Sequence, residues 1–220
     1  MVKLMCLFII GTICCSCCYN IVSKNIKQNF AYCYDGKDTG IDSLIYIEGY
    51  YDFRYEDCPS CYRRVMFYKD GTYVTGPFYT RGESVQSHFN NIVNRNPKEL
   101  YYFHKYNEWG HYIIRSDTIK LQSVDRPVWG SMDPTWKFYE VWYKIIDRNT
   151  IIGIYPSKKP NRYTVHIEED NYMRRYGIPA KFTPLTVRPD SNCWLKEKKW
   201  FWCNEEDWEE YKTQIKKNKK

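Results

Sequence analysis

The sequence lacks the common signatures of catalysis. It holds no Gly-x-Ser-x-Gly elbow, no His-Glu-x-x-His pair and no glycine-rich phosphate loop. That removes the familiar routes to a serine hydrolase, a zinc peptidase or a nucleotide-driven enzyme, while an enzyme assembled from distant residues stays open. Histidine is scarce: His88, His104, His111 and His166 are scattered. Cys58 and Cys61 supply half of a zinc site, but no second Cys-x-x-Cys or closely spaced His pair follows, so no metal or other cofactor is expected. The N-terminal apolar run, Leu4 to about Cys15, falls short of the ~20 residues that cross a bilayer as a helix. There is no low-complexity tract and no basic stripe. Of the net charge of +7, much sits on Lys212, Lys216, Lys217, Lys219 and Lys220, and Arg63-Arg64 and Arg174-Arg175 are isolated pairs. Nucleic-acid binding is therefore not expected, and a solvated basic tail is.

What the sequence has in quantity is aromatic side chains. Its 220 residues include 22 Tyr, 10 Phe and 8 Trp, with 43% hydrophobic and 27% charged residues overall. The length suits one domain of ordinary size with a sizeable core. Tyr and Trp pair apolar area with a polar tip, which fits strands and half-buried surfaces first, and a sugar-stacking or ligand cleft second.

At the N-terminus Lys3 precedes the apolar run, and polar residues take over at Asn20. That is the layout of a secretory signal. The close of the run, Ser16-Cys17, resembles the lipobox of bacterial lipoproteins, in which a small residue precedes the cysteine that receives the lipid; the third position before it departs from the family, with Cys14 in place of Leu. The resemblance implies a signal over residues 1–16 and a diacylglyceryl and palmitate anchor on Cys17. Two or more acyl chains hold a protein on a membrane stably. The alternative is an ordinary, cysteine-rich secretory signal.

Residues 17–43 lack periodicity and read as a tether. From there to residue 155 the chain reads as strands and tight turns. Leu44–Phe53 is β-branched and aromatic. Asp70-Gly71 between apolar runs predicts a type I′ hairpin. A second hairpin spans Trp109–Ser123, with Ile119 and Leu121 on one face and Thr118, Lys120 and Gln122 on a wet one. A third spans Phe138–Ile154, with Tyr139, Val141, Tyr143 and Ile145 on one face. Val85, Phe89, Ile92 and Val93 predict a short helix that Asn96-Pro97 ends. Residues 156–220 read as an ordered, proline-punctuated extension with a helix near the C-terminus, capped by Asn204 and packed on the sheet through Trp208, Tyr211 and Ile215. The class expected is mainly β: an antiparallel meander closing into a barrel with one or two short helices.

Gly49-Tyr-Tyr, Phe67-Tyr-Lys-Asp-Gly-Thr-Tyr73, Gly110-His-Tyr-Ile and Asp117-Thr-Ile-Lys-Leu together resemble the lipocalin-like lipoproteins of the Bacteroidetes group, over roughly residues 44–154. The resemblance implies a small barrel on the bacterial cell envelope, at the outer membrane. It carries over no site residue. The residues after Cys17 lack the acidic run associated with surface export in this resembling group, so the resemblance implies a periplasm-facing position over the surface.

Six further cysteines, Cys18, Cys33, Cys58, Cys61, Cys193 and Cys203, allow 15 pairings that spacing cannot choose between. A Cys193–Cys203 link around the Trp-rich segment is the favoured guess. Cys58 and Cys61 could instead form a redox dithiol. The functional expectation is a non-catalytic module that takes a small apolar or amphipathic ligand or a protein partner. A thiol–disulfide enzyme using Cys58 and Cys61 and a glycan-binding module are the alternatives.

Overall fold

In the computed structural model the described residues are 27–28, 30–55, 58–76, 78, 82–125, 137–154 and 177–218. Eight strands run in chain order: β1 (Gly49–Tyr55), β2 (Cys58–Phe67), β3 (Thr72–Gly76), β4 (Glu108–Arg115), β5 (Thr118–Asp125), β6 (Lys137–Asp147), β7 (Thr150–Ile154) and β8 (Pro179–Pro184). Each pairs antiparallel with the next, and β8 returns to β1, with Tyr51 opposite Phe182, to close a barrel. Helices α1 (Val85–Asn94) and α2 (Pro97–Tyr106) lie between β3 and β4, and α3 (Glu205–Asn218) ends the described chain.

Strand alternation sorts the side chains into two apolar cores. Tyr51, Phe53, Val65, Phe67, Tyr73, Tyr112, Ile119, Leu121, Val141, Tyr143 and Ile151 fill the lumen. The alternate residues Tyr50, Met66, Val74, Trp109, Val124 and Phe138 point outward and form a second core with α1, α2 and the C-terminal segment. Gln122 shows the consequence. Its face was expected to be wet, yet it is buried, and its Oε1 accepts from the N–H groups of Ala31 (2.8 Å) and Tyr32 (3.1 Å). Residues 30–43, assigned from sequence to the tether, form a strap along the outer wall. Phe30 packs against Phe138 at one end, and Thr39 N–H donates to the carbonyl of Lys69 at the other.

Several sequence expectations need correction. The first strand begins at Gly49, not Leu44: Ile41–Ser43 is a 3-10 turn, and Ile41, Ile45 and Ile47 turn in to plug one end of the lumen. The Asp70-Gly71 hairpin forms, but only Gly71 has positive φ (+86°), so the turn over residues 68–71 is not type I′. Asn96-Pro97 ends α1 and at once starts α2, because the Asn96 side chain accepts from Glu99 N–H (3.2 Å) and Pro97 occupies the first turn, where its missing N–H costs nothing. The eighth strand, Pro179–Pro184, lies in the stretch read as an extension; prolines at both its ends disguise it. Helix α3 packs chiefly on the 3-10 turn Trp194–Glu197 rather than on the sheet, with Tyr211 5.2 Å from Trp202.

Candidate binding site at the barrel mouth

The barrel has unlike ends. At one, the turns over residues 68–71, 116–117 and 148–149 are tight, and the isoleucine plug seals the lumen. Tyr51 Oη there reaches the carbonyls of Tyr46 (3.1 Å) and Arg148 (2.8 Å). Above the plug, Phe67 meets Tyr112 edge-on at 5.4 Å, and Phe53 stacks on Tyr143 at 5.1 Å across the lumen. Eight-stranded barrels are just wide enough to be filled by side chains or to hold one small ligand. This lumen is filled through its lower and middle layers.

At the other end, the mouth, the inward positions turn polar. Arg63 lies opposite Phe53 in the register and therefore faces in, as do Thr75 opposite Val65 and Glu108 opposite Thr75. Arg63 Nε donates to Thr75 Oγ1 (2.7 Å), and Nη2 reaches both carboxylate oxygens of Glu108 (2.6 Å each). Ser123 Oγ donates to Glu108 Oε1 (2.8 Å). Burial drives the Tyr73 phenol well above its ordinary pKa, so it stays protonated. Thr75 and Ser123 are buried, whereas the Arg63 and Glu108 side chains keep 23% and 20% of their surface. The result is a hydrogen-bonded polar floor of Arg63, Glu108, Thr75 and Ser123 lying over aromatic rings, with Arg63 and Glu108 partly in reach of solvent. Such charge-assisted pairs hold their geometry well. Gly110 makes room for this: a Cβ there would lie 2.5 Å from the Tyr73 ring.

A second polar cluster sits outside the barrel. Asp70 accepts from Lys196 Nζ (2.7 Å), Ser191 Oγ (2.7 Å), Tyr34 Oη (3.2 Å) and Thr72 Oγ1 (2.6 Å). Burial opposes its charge, but the Lys196 ammonium and these hydrogen bonds hold its carboxyl below the usual range. A serine 2.9 Å from a buried lysine suggests a nucleophile and its base. Here the lysine pairs with Asp70 and the serine hydroxyl donates to the same carboxylate, so the cluster clasps the C-terminal segment to the β2–β3 turn.

The cysteines fall into three groups. Cys33 is bonded to Cys203, across 170 residues of sequence. The parallel bridge between Tyr34 and Trp202 brings them together, with Cys203 N–H donating to the Tyr34 carbonyl (2.8 Å). The expected Cys193–Cys203 link is therefore wrong. Cys193 opens the 3-10 turn Trp194–Glu197 and is a buried free thiol, pushed up to about 11 by burial. Cys58 and Cys61 open β2, a strand and not a helix start; their side chains, and Cys17 and Cys18, lie outside the described residues. Among the described residues no cluster of His, Cys, Asp or Glu could hold a metal, and no helix is long and apolar enough to cross a membrane.

The floor residues were absent from the sequence reading. The signal existed: Arg63 keeps step with Val65 and Phe67, and Glu108 with Gly110 and Tyr112, so two opposite charges sit in phase with inward positions. The eight-stranded antiparallel barrel is consistent with a lipocalin-like fold. No protein-family model, curated protein or solved structure matches the chain.

Proposed function

We propose that the chain is a cell-envelope protein held by a lipid on Cys17, whose barrel is a non-catalytic module binding a small amphipathic ligand at its mouth. The observation that carries the binding reading is the contrast within one lumen: sealed and filled at one end, floored by Arg63, Glu108, Thr75 and Ser123 at the other. A ligand lies against the mouth rather than deep in the barrel, its polar end on the floor. The floor offers hydrogen-bond donors and acceptors from Arg63, Thr75, Glu108 and Ser123, so a neutral hydroxyl end suits it as well as an anionic one.

The resembling lipobox supports the anchor, and the absence of a helix start at Cys58 weighs against the redox alternative. Backbone amide shifts on titration with decanol and with decanoate test the binding reading. Saturable shifts at Arg63, Thr75, Glu108 and Ser123, of similar size for both ligands, are expected. Shifts centred on the plug or the outer wall, or none that saturate, would overturn it.

A further inference from the structure

Helix α2 presents a second stripe, opposite the one that packs. Leu100 and Phe103 face the outer core. Lys98, Tyr101, Tyr102, Lys105 and Tyr106 recur at i, i+3, i+4, i+7 and i+8 and so share an arc of about 140° on the other side. The three tyrosines are 53%, 43% and 62% exposed, among the most exposed large side chains described. Their rings follow one another at 5.7 Å, and Lys105 Nζ lies over the rings of Tyr101 (5.0 Å) and Tyr106 (5.3 Å) while donating to Tyr101 Oη (2.8 Å). Lys98 lies over Tyr102 at 5.9 Å.

We infer that this stripe docks on the anionic headgroup face of a bilayer. Sugar stacking needs open ring faces, and here ammonium groups occupy them. Protein interfaces favour tyrosine but are depleted in lysine. Lysine with tyrosine on a convex helix face matches the headgroup zone, where amphipathic rings settle and ammonium groups meet phosphates. Position agrees with charge. Tyr106 ends α2 one residue before β4 starts at the mouth, and the strap also begins at the mouth end, where Phe30 packs on Phe138. The stripe and the start of the strap at Phe30 therefore share one end of the barrel. The location rests on the anchored reading, but the surface chemistry does not.

The test uses full-length chain carrying Cys17→Ala, which cannot be lipidated there, sedimented with phosphatidylcholine vesicles or with vesicles also containing phosphatidylglycerol. The apolar N-terminal run contributes equally to every variant, so differences between variants report the stripe. Wild-type stripe residues should favour the anionic vesicles, and added salt should weaken this. Lys98→Gln with Lys105→Gln should lower partitioning roughly thirtyfold, Tyr101→Ser with Tyr102→Ser and Tyr106→Ser should also lower it, and Lys98→Arg with Lys105→Arg should preserve it. Unchanged thermal midpoints exclude unfolding. Equal partitioning of all variants, or no preference for anionic vesicles, would overturn the inference. Neither result depends on whether Cys17 is lipidated in the cell.

Discussion

At the closed end of the barrel the chain turns within a few residues, and Ile41, Ile45 and Ile47 complete an apolar seal. At the mouth, α1 and α2 intervene between β3 and β4, and Arg63 and Glu108 stand at inward positions. One lumen thus has an end built for stability and an end that keeps polar groups within reach of solvent. Placing a bidentate ion pair over stacked aromatic rings gains little stability that hydrocarbon would not supply. The closed end is where truncation should unfold the protein, and the mouth is where substitution should change binding instead.

The largest effect belongs to the seal. Ile45→Ala removes a fully buried side chain where the plug has little freedom to collapse, and should cost about 2–5 kcal/mol in denaturant unfolding. A cost below about 1 kcal/mol would mean that the plug is dispensable. The strap comes next. Cys33→Ser frees a loop of 170 residues and should cost roughly 2–5 kcal/mol in denaturant unfolding under oxidising conditions.

A pH dependence should trace to His111, which faces outward from β4 beneath Tyr34 and Phe201. Among the described residues neither ring nitrogen meets a hydrogen-bond partner, and burial pushes its pKa down to about 4, against the pull of Asp35 and Asp70. Between that value and the ordinary 6.5 the unfolded chain binds the extra proton, so stability falls as pH drops through this window, by about 3 kcal/mol. In His111→Phe that part of the slope should vanish; a wild-type slope in the variant would assign it elsewhere, Asp70 being the next acid-sensitive group.

The smallest stability change should come from the mouth. Glu108→Leu alone removes the carboxylate that Arg63 Nη2 and Ser123 Oγ meet and should cost about 1–3 kcal/mol, whereas Glu108→Leu with Arg63→Met should restore stability to within about 1 kcal/mol of wild type. The double variant should nevertheless lose the saturable decanol shifts, separating binding from folding.

How far the sequence revealed these two ends follows from the range of the interactions involved. Asp70-Gly71, Ser116-Asp117 and Asp147-Arg-Asn149 announce closed-end turns by local chemistry, and the alternation of Tyr139, Val141, Tyr143 and Ile145 gives their inward face. Helix α1 was legible from its period, but α2 was not, because Pro97 reads as a stop unless the Asn96 cap is weighed with it. The outer core escaped notice since it depends on segments distant in sequence: Phe30, Phe89 and Phe201 meet strands they follow or precede by many residues. The same distance hid the Arg63–Glu108 pair, and it misdirected the disulfide guess. Cys193 and Cys203 are near in sequence, but the Tyr34–Trp202 bridge gives Cys203 to Cys33.

The anchored envelope reading faces its most direct test in the intact mass of the N-terminal peptide, taken from the membrane fraction of cells expressing the wild type and Cys17→Ala. A chain starting at Cys17 and carrying a diacylglyceryl adduct, absent from the variant, is the expected result. A wild-type chain recovered soluble, with an unmodified N-terminus, would contradict it.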